Sequence, residues 1–234
     1  MRPHLTLGRT PEELRAALAL RRAVFVGEMG ARDDGDAHDA ACEHLVLRDA
    51  DRPGLGAVGT LRLAMGAEYT AREFDLSRLV ATGRPLAEAG RSCLHPDYRG
   101  GTAGLYLFRG LLDALRARGV GYLVGTASFP GADAARHMEA LRRLRQEALA
   151  PEALRPVAHG PNAVAVAGTA PRAAMRAVPA LIKTYLRAGA WVGEGAWRDP
   201  DFDTVDICMV LDMAKVPAGP LPRIAARMEA AAPS

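Results

Sequence analysis

The feature that most constrains the fold is residues 86–104, LAEAGRSCLHPDYRGGTAG, which read as a strand followed by a turn and a helix. The first part is an apolar run that carries two charged side chains, Glu88 and Arg91. Pro96 ends this strand, because proline has no N–H group to donate to a ladder. A charge inside an apolar strand is costly unless it is paired. The pattern therefore predicts a buried strand with a polar function.

The second part of the same stretch has the composition of an anion-binding turn. Gly100 and Gly101 permit backbone angles that bring amide groups close to a ligand, and Arg99 adds a charged donor. A helix is predicted from about Thr102 to Arg118, and the dipole and N–H groups at its start favour an anion. A tight turn with a purely structural role is the alternative interpretation.

The order of the remaining patterns predicts an α/β fold (α+β, mixed sheet), with a central mixed β-sheet flanked by helices. Helices alternate with strands after an early antiparallel pair, which favours a single sheet. We expect one domain over 1–234, with an insertion around 151–190 and a frayed tail from 217. Strands are predicted at 4–9, 43–50, 56–65, 120–128 and 202–212, and helices after Thr10, after Gly131 and at 179–189.

Composition excludes several classes of function. Three cysteines without metal-type spacing indicate a reducing cytosol and no metal site. Aromatic residues make up 5% and are not interleaved with basic ones, so no nucleic-acid partner is expected. No segment approaches the roughly 20 apolar residues of a membrane span. The expected location is the cytoplasm, and peripheral contact with the inner face of the cytoplasmic membrane is left open.

The turn PDYRGGTAG resembles the pyrophosphate-binding turn of the GCN5-related N-acetyltransferase (GNAT) superfamily, Arg/Gln-x-x-Gly-x-Gly/Ala. Thr102 occupies the place of the first motif glycine, and Gly104 keeps the second. The resemblance implies an acyltransferase fold in which Arg99, Gly100 and the following residues bind the acyl donor. The departure at Thr102 favours the phosphopantetheine arm of an acyl carrier protein as donor over a full coenzyme A clamp. No permanently bound cofactor is implied.

A longer series of motifs is similar to the bacterial L-ornithine Nα-acyltransferases. The series also resembles acyl-homoserine lactone synthases in RAVF (22–25), VGTLRL (58–63) and E-x-G-R-S (88–92). The resemblance implies transfer of a (3-hydroxy)acyl chain from acyl carrier protein to the α-amine of L-ornithine, which gives lyso-ornithine lipid. It covers about residues 15 to 213, and its long motifs are GRSCLHPDYRGG, ASFPGAD, PALIKTYLRAGA and DPDFDTVDI.

The implied chemistry gives Glu88 the role of general base. An amine attacks a thioester carbonyl only after its ammonium has lost a proton. In a regular strand Glu88 and Arg91 would face opposite sides, and a bulge at Gly90 would return them to one face. Arg91 and Arg62 would then bind the carboxylate of the amino acid. The alternative is an ion pair within the strand.

Further substrate contacts are expected in the acidic loop, residues 27–44, and in the helix before it. Glu28, Asp36 and Asp39 are candidates for the second ammonium of ornithine, although an Asp-rich loop is often simply solvated. The resemblance adds Arg22 and Phe25 to the substrate-binding residues.

Two further side chains of the strands are open to a role in acyl transfer. Cys93 suggests an acyl-cysteine intermediate, but a small buried strand residue is the stronger interpretation. Ser128 is a candidate for positioning the thioester, with a turn-capping role as the alternative.

Two other functions remain open at this point. An acyl-homoserine lactone synthase would use S-adenosylmethionine, but the acidic loop lacks the tryptophan typical of that family; the tryptophans are Trp191 and Trp197. A non-catalytic module that binds acyl carrier protein on the same fold is favoured only by Thr102.

Overall fold

The structure is a computed structural model and describes residues 1–217. The chain forms two compact units. Unit 1 contains Met1–Ala64 and Ala89–Gly119, and unit 2 contains Met65–Glu88 and Val120–Val216. The tail for which fraying was expected lies almost wholly outside the described residues.

The elements alternate much as the sequence predicts. The strands are β1 Pro3–Gly8, β2 Glu43–Asp49, β3 Ala57–Met65, β4 Phe74–Asp75, β5 Leu86–Leu94, β6 Tyr122–Pro130, β7 Val157–Ala158, β8 Ala163–Val164, β9 Trp191–Val192, β10 Ala196–Asp199 and β11 Thr204–Asp212. The α-helices are α1 Pro11–Arg21, α2 Ser77–Val80, α3 Ala103–Ala117, α4 Ala134–Ala148 and α5 Ala180–Arg187.

In unit 1, β1, β2 and β3 form an antiparallel meander with Leu45 opposite Leu61. Successive strand side chains point to opposite faces. Val46 accordingly packs in a cluster with Ala17 of α1, whereas Leu45 lies beside Gly110 of α3. The two helices therefore cover opposite faces of the meander.

Helix α1 begins as the sequence predicts and ends in an unusual way. The side chain of Thr10 accepts the N–H of Glu13, whose carboxylate in turn accepts the N–H of Thr10, so the capping box is complete. The helix then continues as a π-helical turn, Arg22–Glu28, whose wider hydrogen-bonding pattern changes the direction of the side chains.

Unit 2 is built around β11, which is buried along its whole length. It pairs antiparallel with β6 from Thr204 opposite Pro130 to Asp212 opposite Tyr122, and β10 and β8 extend the sheet on its other side. The first residues of β5, Leu86–Glu88, pair in parallel with Tyr122–Val124 of β6. Antiparallel and parallel pairs occur together, so the predicted mixed sheet flanked by helices is confirmed.

The region expected to be an insertion contains short elements. Strand β7 pairs with β4 in a separate two-stranded sheet, and β8 joins the main sheet beside β10. Helix α5 follows a 3-10 segment, Arg172–Ala177. Within residues 1–217, no helix is both long enough and apolar enough to cross a membrane.

Candidate active site

Glu88 lies at the point of β5 where the parallel pairing with β6 ends. Its side chain is buried, with 5% of its surface exposed. One carboxylate oxygen, Oε2, accepts the backbone N–H of Thr70 at 2.7 Å. Thr70 begins a short 3-10 turn, Thr70–Arg72, and this turn therefore holds the carboxylate of Glu88 in one orientation. A buried, oriented carboxylate of this kind can accept a proton from a bound ammonium.

Strand β5 has an irregular backbone angle at Arg91, one residue after the Gly90 at which a bulge is predicted. Arg91 has φ +53°, in the left-handed region that an arginine rarely adopts. Such strain persists only where the surroundings hold it, and it is enriched at functional sites. The left-handed angle turns the adjoining peptide groups out of the regular strand pattern, and the bulge at Gly90 stays a prediction.

The side chain of Arg91 belongs to a network of buried ion pairs in unit 1. Its Nη2 lies 3.2 Å from Oδ2 of Asp36, and its Nε lies 3.4 Å from Oδ1 of Asp34. Arg62 contacts the same loop, with Nη1 at 2.7 Å from Asp36 and 2.9 Å from Asp39. The structure therefore brings Arg62, Arg91, Asp36 and Asp39 together, but in pairs with one another.

A third arginine, Arg21, completes the network and was not singled out from the sequence. Its side chain is fully buried, with Nε 2.7 Å from Asp34 and Nη1 2.6 Å from Asp39. The neighbouring Arg22, predicted to bind substrate, is exposed. The sequence did indicate that Arg21 is buried, since it lies one helical turn after Ala17 and therefore on the same buried face of the helix.

The network sets the charge state of its members. Burial alone would raise the pKa of Asp39, but the hydrogen bonds and charge of Arg21 outweigh it and lower that pKa to about 2. The pKa of Asp36 is also lowered, because its ion pair with Arg62 outweighs burial. Burial lowers the pKa of His44, whose Nε2 lies 2.9 Å from the carbonyl of Asp39. Asp36 and Asp39 are therefore ionised at neutral pH and are held by arginines of unit 1.

The turn after β5 has the predicted left-handed glycine. Gly100 has φ +76°, and a Cβ atom there would meet nothing within 4 Å. The turn is anchored by Tyr98, whose hydroxyl donates to Oδ2 of Asp49 at 2.7 Å. Thr102 precedes the first residue of α3 without capping it through its side chain. The first N–H groups of α3 consequently have no intrahelical acceptor and are suited to an anion.

Five other predicted residues have specific surroundings. Arg99 forms an ion pair with Glu28 at 2.8 Å, so a predicted donor-binding residue and a predicted substrate-binding residue contact each other. Phe25 packs against the apolar cluster of α1. Ser128 is exposed on β6, opposite Asp206 of β11, and Gly104 in α3 approaches Leu94, where an added Cβ would lie 3.5 Å from Cδ1.

Cys93 is the least reactive of the groups around this strand. Burial raises the pKa of its thiol to about 12, with a further contribution from Asp34. The thiolate is the nucleophilic form, so the thiol is inert at neutral pH. This supports direct attack by the amine over an acyl-cysteine intermediate.

The chain is similar to known proteins in sequence and in fold. The model of the acetyltransferase (GNAT) domain family matches residues 20–109. Two solved structures share the fold: FeeM, an N-acyl amino acid synthase from uncultured soil microbes, and BjaI, a coenzyme A-dependent acyl-homoserine lactone synthase. FeeM has TM-score 0.55 and 14% identity, covering 97% of this chain and 94% of its own. BjaI has TM-score 0.53 and 13% identity, covering 97% of this chain and 89% of its own.

Residues 20–109 match the GNAT domain and the curated relatives are acyltransferases, so the chain is an acyltransferase enzyme. The L-ornithine N(alpha)-acyltransferase of Rhodobacter capsulatus is 42% identical over 230 residues, which cover 89% of this chain and 89% of the relative. The chain therefore belongs to the L-ornithine Nα-acyltransferase family.

Proposed function

We propose that the protein transfers a (3-hydroxy)acyl chain from acyl carrier protein to the α-amine of L-ornithine, producing lyso-ornithine lipid. The observation that carries the proposal is the 42% identity to a relative named for the ornithine reaction, over 89% of both chains. The buried Glu88, which that reaction needs as a base, supports it independently.

The reaction requires two events at the acceptor nitrogen. Glu88 takes a proton from the α-ammonium, and the neutral amine attacks the thioester carbonyl. A C–N bond forms, the C–S bond breaks, and the thiol of the phosphopantetheine arm leaves with a proton. The developing oxyanion needs a fixed hydrogen-bond donor, commonly a backbone N–H.

The donor is assigned to acyl carrier protein on the chemistry of the turn Arg99–Gly104. The open space at Gly100 and the start of α3 suit one phosphate. The positive charge of Arg99 is already balanced by Glu28, so the turn has little positive charge left to bind more than one phosphate. This supports a phosphopantetheine phosphate over the more highly charged coenzyme A.

The product is amphipathic, and we propose that the enzyme contacts the inner face of the cytoplasmic membrane to release it. Helix α5 of unit 2 supports this, because it exposes Leu181 and also carries the basic residues Lys183 and Arg187. Co-sedimentation with vesicles containing anionic lipid tests the contact, and a Leu181→Ser variant is expected to bind less.

The decisive test is incubation of the purified protein with 3-hydroxyacyl carrier protein and L-ornithine. We expect Nα-acylornithine by mass spectrometry, with the acyl carrier protein thioester used in preference to the coenzyme A thioester. No product from ornithine, with other amines acylated instead, would contradict the acceptor. Release of methylthioadenosine on adding S-adenosylmethionine would identify an acyl-homoserine lactone synthase, and no turnover with any donor would favour a binding module.

A further inference from the structure

Unit 2 contains three buried carboxylates that the sequence analysis did not single out: Glu73, Asp199 and Asp206. One oxygen from each lies within 4.8 Å of the others, and their exposed fractions are 4%, 7% and 4%. Carboxylates this close repel one another strongly when ionised and desolvated. The trio is therefore a place where a cation would be stabilised.

Each carboxylate is held in place by a different element. Asp206 lies on β11 and accepts the hydroxyl of Thr204 at 2.9 Å. Asp199 ends β10, and its Oδ1 accepts the N–H groups of Asp201 and Phe202 at 2.8 and 3.1 Å. Glu73 follows the 3-10 turn that begins at Thr70. The three groups thus meet on rigid backbone, which is typical of a preformed site.

A separate observation indicates a ligand at the same place. Thr70 is fully buried, and its hydroxyl has no hydrogen-bond partner within the described part of the chain. Side chains three residues apart eclipse in a 3-10 turn, so Thr70 and Glu73 project from the same face. A buried hydroxyl without a partner is costly, and a ligand that supplies N–H donors beside Glu73 would remove that cost.

The same turn connects this cluster with the candidate base. Thr70 donates its N–H to Glu88, and the N–H of Glu73 bonds the carbonyl of Thr70 at 3.1 Å. The charges of Glu73 and Glu88 both help to raise the pKa of the buried Cys208 thiol, so both groups lie near it. One short turn therefore separates the proposed proton acceptor from the carboxylate trio.

We propose that Glu73, Asp199 and Asp206 bind the side-chain ammonium of the amino acid whose α-amine is acylated at Glu88. The inference rests on the proposed function and identifies what selects the acceptor. A primary ammonium has three N–H donors and no acceptor, which matches three converging carboxylates. The loop acids Asp36 and Asp39, first considered for this role, are engaged with arginines in unit 1.

The test compares L-ornithine with L-norvaline, which has the same carbon chain without the terminal amine. For the wild type we expect kcat/KM for ornithine to exceed that for norvaline by at least about 100-fold, because the apolar side chain of norvaline offers no N–H donor to the buried carboxylates. In Asp199→Asn and Asp206→Asn this ratio falls by about tenfold or more. The loss appears in the KM for ornithine, while norvaline is used at least as well as by the wild type, because one of the carboxylates that reject it is gone. The control is Asp201→Asn, an exposed acid next to Asp199, which leaves the ratio at its wild-type value.

Calorimetric titration of ornithine without any acyl donor measures the site separately from catalysis. Weaker ornithine binding in both variants, with circular dichroism unchanged, supports the site even if the acylation assay fails and the proposed function is wrong. Normal acylation of ornithine by both variants, with the acceptor ratio unchanged, overturns the inference and leaves the proposed function intact. Titration with MgCl2 or MnCl2 that shows tight binding lost in the variants, with ornithine affinity unaffected, assigns the trio to a metal and also overturns it.

Discussion

At the scale of single residues, Glu88 combines burial with one directed hydrogen bond. The N–H of Thr70 occupies one oxygen of the carboxylate and sets its orientation. A glutamine at this position keeps a carbonyl oxygen for that bond but cannot accept a proton from an ammonium. A glutamine at position 88 therefore removes the basic group while it keeps the hydrogen bond to Thr70.

Glu88→Gln is expected to lower kcat by about 10²- to 10⁴-fold, the usual contribution of a general base. The thermal midpoint should change little because the contact with Thr70 is retained. Steady-state acylation assays and thermal unfolding measure the two quantities. The matched control is Glu68→Gln, an exposed glutamate in the same unit. A Glu88→Gln enzyme with wild-type kcat would show that another group removes the proton.

Asp39 holds two buried arginines, since it contacts both Arg21 and Arg62. Asp39→Asn removes the negative charge and leaves both guanidinium groups short of a partner in a buried site. We expect the free energy of unfolding at pH 7 to fall by about 3 kcal/mol, the low end for a broken buried pair. Urea denaturation measures it. Asp51→Asn, an exposed acid of unit 1, serves as control, and an equal loss in both variants would contradict the role of the network.

At the scale of elements, α3 packs on the meander through close approaches at glycines. A Cβ at Gly59 of β3 would lie 2.8 Å from Leu107 Cδ1 of α3 and 2.8 Å from Leu94 Cδ2. Neither contact is tolerable without movement, so the absence of a side chain at Gly59 determines how closely the helix lies on the strands.

Gly59→Ala is expected to destabilise the protein by about 1–3 kcal/mol, the usual cost of overpacking a dense core. Chemical denaturation gives the value. Gly54→Ala is the control, because a Cβ there meets nothing within 4 Å and its backbone needs no left-handed angle. Equal stability of Gly59→Ala and wild type would mean that α3 can shift without cost.

The elements themselves were largely predictable because their signals are local. The helix expected from Thr102 to Arg118 is Ala103–Ala117, and the strand expected at 202–212 is Thr204–Asp212. The start of α1 after Thr10 was also predicted from adjacent residues. The left-handed Arg91 was not, since arginine rarely adopts a positive φ, and its partners Asp34 and Asp36 lie far from it in the sequence. The trio of Glu73, Asp199 and Asp206 was missed for a related reason, as Glu73 lies more than a hundred residues before the other two in the chain.

At the scale of the whole molecule, ionised groups inside the fold make stability depend on pH. The pKa of Asp39 is about 2 in the folded protein, compared with about 3.9 for an unperturbed aspartate. A carboxyl group whose folded pKa is depressed contributes stability above its unfolded pKa and loses it as pH falls through the folded pKa. Asp36 has a lowered pKa as well, so it acts in the same direction.

We therefore expect the free energy of unfolding to decrease between about pH 4 and pH 2, with Asp39 accounting for about 2 kcal/mol of the loss. Urea denaturation at a series of pH values measures the dependence. In Asp39→Asn the protein starts from a lower stability at pH 7, and its further loss over that acid window should be smaller by about the same amount, because position 39 no longer titrates. The exposed Asp51→Asn should follow the wild-type curve. If Asp39→Asn instead kept the full wild-type slope between pH 4 and pH 2, the acid sensitivity would belong to carboxylates outside the arginine network, and the ion pairs of Asp39 would not stabilise the fold in its ionised form.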